Sequence, residues 1–388
     1  MRVFVPAETR PGEHRVAMLP DVVSRLKKLD LEVSVESGAG KAAFASDDAY
    51  IDAGADIVPV ERAVEVLGRA DLVASVQPLD VTRAELIKSG SVLLSFLQPG
   101  TDADLIRLVA ERGASAISFD LIPRISRAQS MDALTSQALV TGYRATQAAA
   151  ELLPKFFPLF MTAAGTIPPA KVLVLGAGVA GLQAIATAKR LGAKVSAYDV
   201  RPSSADEVKS MGGTFITLDL DAIEGSGGYA REMSEDRAQR QRELLTPYIT
   251  ESDAVITTAA VPGRPAPQLV TQNMLADMSP GSVVVDLASE SGGNVEGSVA
   301  GEIVELGGVR VWGAKDVASS MPVHASRLYA MNVAAVLGLI TEAGQIELDA
   351  SDEIVAGSAV VLAGEVRNGA AREVLGLPPL PEDEEVSA

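Results

Sequence analysis

The chain has 388 residues, enough for two or three domains with real hydrophobic cores, and its 47% hydrophobic and 22% charged residues fit a soluble globular protein. A net charge of -18 without any block of Lys or Arg argues against a nucleic-acid or anionic-membrane surface. There is no cysteine, which excludes disulfides, thiolate nucleophiles and cysteine-held metals; with only His14 and His324 a histidine-built centre is all but excluded, so no metal is expected.

From the N-terminus, MRVFVPAETR reads as a strand followed by charge, without the apolar core of a signal peptide. β-branched runs predict strands at Arg2–Pro6, Leu31–Glu36, Asp56–Val58, Leu72–Gln77, Ser91–Leu97 and Ala116–Leu121. Helical patterns fall between them at Val22–Leu29, Ala63–Ala70, Ala84–Ser89 and Ala103–Arg112. Ser136–Ala150 predicts a helix crossing between domains. The apolar stretch from Phe156 to Ala170 is short and broken by Pro158, Pro168 and Pro169.

A second set of strands is predicted at Lys171–Leu175, Lys194–Tyr198, Thr214–Leu218, Ala254–Thr257, Ser282–Asp286 and Val309–Trp312. The last helical pattern, Ser326–Ala343, carries Arg327, Asn332 and Glu342, so it falls short of a membrane span and should return to pack on the first domain. The alternation implies an α/β protein with two Rossmann-like, doubly wound parallel-sheet domains. The first is discontinuous, residues 1–135 plus 326–380, and the second, residues 140–320, is inserted into it. The acidic, proline-rich tail 381–388 is expected to be disordered.

The segment KVLVLGAGVAGLQAIATAKRLGAKVSAYDVR carries the chemistry. A strand ends at Leu175, and Gly176-Ala177-Gly178-Val179 and Gly181 follow in the G-x-G-x-x-G spacing at the start of a helix. Those glycines permit the tight turn, the approach of a pyrophosphate and close packing of helix on strand, and the helix N-terminus supplies N–H donors. Asp199 ends the next strand, about 20 residues on, where an acid accepts hydrogen bonds from the adenosine ribose. NAD(H) is therefore expected in the second domain rather than NADP(H), because a 2′-phosphate about 4 Å from a carboxylate costs ~4 kcal/mol per charge pair at an effective dielectric of about 20. Val200 follows Asp199, and Arg201 reads as a solvated loop arginine.

An alcohol or amine dehydrogenase needs a group that moves a proton. His14, in PGEHRVAM, and His324, in MPVHASRLY, both read as structural or surface residues. Hydride transfer between two nicotinamides needs no proton donor and asks only that two rings be held in register.

The segments PGEHRVAMLP, PRISRAQSMDALTSQ, GYRA, TAAGTIPPAKVLVLGAGVAGLQAIATAKRLGA, GGYAREM, ITTAAVPGRPAP and DLASESGGN together resemble the NAD(H)-binding α subunits of proton-translocating NAD(P) transhydrogenases. The likeness runs from about Pro6 to about Asn332; alanine dehydrogenases form the related family, sharing two domains and the RVA segment at Arg15. The resemblance implies that PRISRAQSMD lies over the nicotinamide end of the cofactor. By that match Arg124, Gln129 and Asp132 are the catalytic residues, holding the nicotinamide and its ribose, and Gln129 also helps seat NADP(H) of a partner subunit. Thr135 stands where the family commonly has serine. Tyr229, in the glycine-rich Glu224–Met233 segment, matches the tyrosine of a mobile loop that closes over the nucleotide. Thr258, Ala259, Pro262 and Gly263, with Leu287, Ala288 and Glu290, complete the implied cofactor contacts.

Some positions depart from pattern. Asp316-Val317-Ala318-Ser319-Ser320 replaces the family's Asn-x-Pro-x-Arg, which leaves that loop's nicotinamide contribution open. Alanine dehydrogenases carry a lysine near Ser75 and a histidine near Phe96, and this chain has neither. The expected function is direct hydride transfer from NADH on this chain to NADP+ on a separate subunit, coupled to proton movement by a membrane subunit. A homodimer is expected, cytoplasmic and attached peripherally to the inner face of the bacterial membrane through its partners. The alternatives are a stand-alone alanine or amino-acid dehydrogenase and a catalytically silent NAD-sensing subunit.

Overall fold

Runs such as Val92–Ser95, Ala254–Thr257 and Val283–Asp286 are buried along their whole length, the pattern of strands covered on both faces by helices. They organise a computed structural model that describes residues 1–220, 235–260 and 265–380. The chain divides into two compact units, Ala138–Ala318 and a discontinuous one made of Met1–Gln137 with the chain from Ser319 onward.

The discontinuous unit is built on an eight-stranded sheet in the order Glu365–Val366, Ala359–Leu362, Ser115–Ser118, Val92–Ser95, Leu72–Ala74, Arg2–Val5, Glu32–Glu36, Asp56–Val58. Six strands are parallel, and the two C-terminal ones add an antiparallel edge that the sequence pattern did not reveal. Each is short, and their hairpin follows a helix of only six residues, Glu353–Ser358, so no long periodicity marks them.

Two expected elements are shorter or shifted. The strand predicted at Leu72–Gln77 stops at Ala74, because the Val76 and Gln77 N–H groups turn away to the Glu8 carboxylate. The helix expected at Ala84–Ser89 is instead the single turn Val81–Ala84, started by Asp80, whose side chain accepts from the Arg83 N–H.

The helix Pro322–Ile340 is long and apolar enough to cross a membrane by composition alone. It buries Tyr329, Val333, Val336, Leu337 and Ile340 in the core over this sheet, and its Tyr329 hydroxyl donates to the Ser75 carbonyl at 2.7 Å. It is a core helix of the discontinuous unit.

The other unit holds a seven-stranded sheet in the order Thr214–Phe215, Lys194–Tyr198, Lys171–Leu175, Ala254–Thr257, Val283–Asp286, Val309–Gly313, Ile303–Leu306, parallel except for the last strand. Strand order reverses beside Lys171–Leu175, and a ligand crevice is expected at the carboxyl ends of strands flanking such a switch point. Helix Ala133–Leu152 passes close enough to helix Val179–Arg190 that a Cβ on Gly142 would lie 2.0 Å from the Ala180 carbonyl oxygen.

Candidate nucleotide-binding site

The glycine loop occupies the switch point. Gly176 has φ +100°, and a Cβ there would meet the Thr258 hydroxyl at 2.6 Å, so both conformation and space require glycine. A Cβ on Gly181 would lie 1.9 Å from the Gly176 carbonyl oxygen, which is the close helix–strand packing expected of the third glycine. Gly178 faces open space, with no described atom within 4 Å of its would-be Cβ. It caps helix Val179–Arg190, and among the described residues no side chain caps that end, leaving N–H donors for an anion.

Asp199 stands beside this loop with a side chain only 7% exposed. Its carboxylate accepts from the Ala177 N–H at 2.7 Å and the Arg201 N–H at 2.9 Å. The Arg201 guanidinium also donates to both carboxylate oxygens, Nε at 2.9 Å and Nη2 at 3.0 Å. Arg201 is thus not the solvated loop arginine that the sequence suggested. Asp199 is followed within two residues by its own cation, and the fork geometry of arginine matches a carboxylate in this tight a turn. The pair offsets part of the negative field of the Asp199 carboxylate beside the glycine loop.

On the far side of the switch point, Thr258 donates to the Gly176 carbonyl at 3.0 Å and fixes the glycine loop. Ala259 is held by Asn294, which accepts from its N–H and donates to its carbonyl. Asp286, fully buried, accepts from the Thr257 hydroxyl and from the N–H groups of Ala288, Asn294 and Val295. Asp286 and Asn294 therefore shape the loops bearing Thr258, Ala259, Leu287, Ala288 and Glu290. Sequence reading missed both, since a buried acid that ends a strand gives no periodic signal. Glu290 accepts from the Asp316 N–H at 3.2 Å, so the departing segment is anchored at its start. Pro262, Gly263, Tyr229 and the Glu224–Met233 segment lie outside the described residues, as does the tail 381–388.

In the discontinuous unit, Ala128 and Met131 bury one side of the 3-10 helix Ser126–Met131, while Arg124 and Gln129 are exposed. Asp132 accepts from the Thr135 N–H at 2.8 Å and from its hydroxyl at 2.6 Å, so these two implied site residues meet at the start of helix Ala133–Leu152. Asp132 is the capping acceptor, and the Thr135 hydroxyl donates to it as well.

Both histidines are exposed, and the His14 backbone N–H is taken by Ser319 at 2.6 Å. Ser319 in turn donates to the Gly12 carbonyl, giving the departed loop a structural bond. Where a proton-handling lysine and histidine would stand, Ser75 donates to the Gln77 carbonyl and Phe96 packs on Phe119 and Tyr329. Arg15 is buried, bound by Glu13 through Nε at 2.8 Å and Nη2 at 2.6 Å, and by Gln137 at 2.9 Å. Burial alone would raise the Glu13 pKa, but the Arg15 guanidinium and Gln77 amide outweigh it and hold it at about 2. Among the described residues no cluster of three or more His, Asp or Glu could hold a metal.

Glu8 behaves oppositely. Burial, with Glu13 adding repulsion, pushes its pKa from 4.5 to about 7 against the two backbone N–H bonds. A raised carboxylate pKa means that the folded chain holds a proton the unfolded chain releases. The Glu8 contribution is therefore full below pH 4.5 and is lost as pH rises through 7. Glu8→Gln should flatten the fall in unfolding free energy between pH 4.5 and 7 in denaturant titrations; an unchanged slope would show that Glu8 is not its source. Glu8 keeps some solvent exposure, so a shallow slope is expected.

The comparisons with known proteins agree with this geometry. Residues 4–141 match the alanine dehydrogenase/PNT N-terminal domain family and residues 145–369 the alanine dehydrogenase/PNT C-terminal domain family. The chain is therefore a two-domain protein of the alanine dehydrogenase and pyridine nucleotide transhydrogenase group. It is 45% identical over 379 residues to the first portion of NAD(P) transhydrogenase subunit alpha of Rhodospirillum rubrum, covering 94% of this chain and 97% of that one. The crystal structure of transhydrogenase from Sinorhizobium meliloti superposes with TM-score 0.83 at 40% identity, covering 95% of this chain and all of the other. An L-alanine dehydrogenase structure shares the fold, with TM-score 0.79 at 24% identity over 97% of this chain and 99% of that one. The chain belongs to the NAD(P) transhydrogenase α-subunit family, with an NAD-binding domain of the Rossmann type.

Proposed function

We propose that this chain binds NAD(H) at the Gly176–Gly181 loop and exchanges hydride directly with NADP(H) held by a partner subunit, a membrane subunit coupling the exchange to proton movement. The observation that carries the reading is the pairing of a complete dinucleotide loop with the lack of a free proton-handling residue at Ser75 and Phe96. The N–H groups at the start of helix Val179–Arg190 hold the pyrophosphate, and Asp199 accepts from the adenosine ribose. Arg124, Gln129 and Asp132 position the nicotinamide, which supplies the hydride chemistry when bound. Gln129 sets the register against the second ring.

The test is single-turnover hydride transfer from the NADH-loaded chain to a partner subunit loaded with NADP+; no transfer would leave only nucleotide binding. The same preparation should give no detectable reductive amination of pyruvate with NADH and ammonium, because Ser75 and Phe96 stand in place of a proton-handling lysine and histidine. A robust rate would install the alanine dehydrogenase reading. NADH should also bind much more tightly than NADPH, although the Arg201 pair tempers the repulsion from Asp199. Equal affinities in equilibrium titration would sink the role of Asp199.

The proposed assembly is a homodimer, cytoplasmic and peripheral to the inner face of the membrane through its partners. The antiparallel hairpin of Phe160–Thr162 with Gly165–Ile167 supports self-association, since Phe156, Leu159, Phe160, Met161 and Ile167 are all exposed on it or beside it. Sedimentation of Met161→Asp should shift the mass toward the monomer, and an unaltered dimer would clear the hairpin of that role.

A further inference from the structure

Helix Glu235–Thr250 turns one row of side chains inward: Arg237, Gln241, Leu245 and Ile249, each four residues from the last. Gln241, Leu245 and Ile249 are buried, and Gln241 donates to the Tyr198 hydroxyl at 3.1 Å. Arg237 therefore occupies a position where this periodicity asks for an apolar residue. It also sits in the first turn, where the helix dipole disfavours a cation. Its Nε is buried and has no hydrogen-bond partner among the described residues. A buried donor without an acceptor is costly, and nothing described in the folded chain supplies one.

What Arg237 does line, together with Asp199, Pro202, Phe215 and Leu218, is a cavity of about 220 Å³. The carboxylate assigned to the ribose shares this lining with apolar Ala205, Ile216 and Leu220, surface of the kind a purine requires. Adenine has several ring nitrogens that accept hydrogen bonds in its plane.

We propose that Arg237 is a specificity-determining contact to the adenine ring, its side chain turning into the cavity so that the guanidinium donates to a ring nitrogen of the base. The inference rests on the reading of the Gly176–Gly181 loop as the NAD(H) site. The missing acceptor at Arg237 is then supplied by the cofactor. A phosphate contact is disfavoured because apolar Phe215 and Leu218 line the same cavity as Arg237.

The test is equilibrium titration of the full chain and of Arg237→Ala and Arg237→Lys with NADH, NADPH and adenosine, adenosine by competition with NADH fluorescence. Arg237→Ala is expected to weaken NADH and adenosine by the same factor, roughly ten- to a hundredfold, the loss of one hydrogen bond from a charged donor. Arg237→Lys keeps the charge and stem without the planar donor, and should show most of the same loss. Lysine restoring full affinity would overturn the donor role. A fall for NADH with adenosine unchanged would place Arg237 on a phosphate, and a larger fall for NADPH would place it on the 2′-phosphate. Either overturns the adenine contact, as does unchanged binding of all three. Failure of the unaltered chain to bind NADH would instead sink the cofactor reading itself.

Discussion

Replacing Gln129 by alanine should slow hydride transfer on the order of a hundredfold while shifting NADH affinity only about two- to thirteenfold. The asymmetry follows from the two roles that one exposed amide can have. As a plain cofactor contact, Gln129 contributes a single neutral hydrogen bond, worth about 0.5–1.5 kcal/mol, and its removal weakens binding and turnover together. As the residue that registers two nicotinamides, it acts on distance, and misplacing reacting atoms by about 1 Å costs on the order of a hundredfold in rate. Gln129 lies on the 3-10 helix Ser126–Met131, whose inner side is anchored by Ala128 and Met131 and whose end is fixed by the Asp132–Thr135 cap. Its truncation should therefore leave the backbone in place and remove only the amide. The measurement sets NADH affinity of the isolated variant beside single-turnover transfer with an NADP+-loaded partner. Equal losses in the two would make Gln129 an ordinary contact, and full activity would remove the loop from the reaction.

The regions of the molecule that were legible in the sequence are those with a period or a spacing. Lys171–Leu175, Lys194–Tyr198 and Ala254–Thr257 form as the β-branched runs required, and the glycine loop lies between strand and helix as its spacing demanded. Short pieces were invisible: the antiparallel edge at Ala359–Val366 and the hairpin at Phe160–Ile167 offer two to four residues per strand, too few to show alternation. Interactions between distant positions were invisible for a different reason. Nothing local in the sequence says that Arg201 turns back onto Asp199, that Glu13 occupies Arg15, or that Glu8 ends the strand at Ala74 by capturing two N–H groups. Arg237 was legible in principle, as a cation on the inward row of an amphipathic helix.

Gly181→Ala should abolish measurable NADH binding and destabilise the nucleotide-binding unit, because the helix that would have to retreat has nowhere to go. The added Cβ would lie 1.9 Å from the Gly176 carbonyl oxygen and 2.9 Å from its carbon. Bringing the first contact to the 3.4 Å of ordinary packing needs a shift of about 1.5 Å. Side-chain rotation cannot supply it, since the offending atoms are backbone. Movement of helix Val179–Arg190 away from the strand is opposed by helix Ala133–Leu152, where the place of a Cβ on Gly142 is already 2.0 Å from the Ala180 carbonyl oxygen. Overpacking between two backbone walls costs at least about 1–3 kcal/mol of stability. The same shift withdraws the N–H groups at the helix start from the pyrophosphate, and each charge-assisted bond lost weakens binding by about 1.5–3 kcal/mol. Two such losses exceed a hundredfold. Gly178→Ala is the control, since its φ of -77° suits any residue and no described atom lies within 4 Å of the new methyl. It should unfold like the parent while binding NADH more weakly, the methyl standing where the pyrophosphate approaches. Denaturant unfolding and NADH titration of both variants decide the matter: if Gly181→Ala keeps the parent's stability and affinity, the helix is free to move and the account of the loop fails.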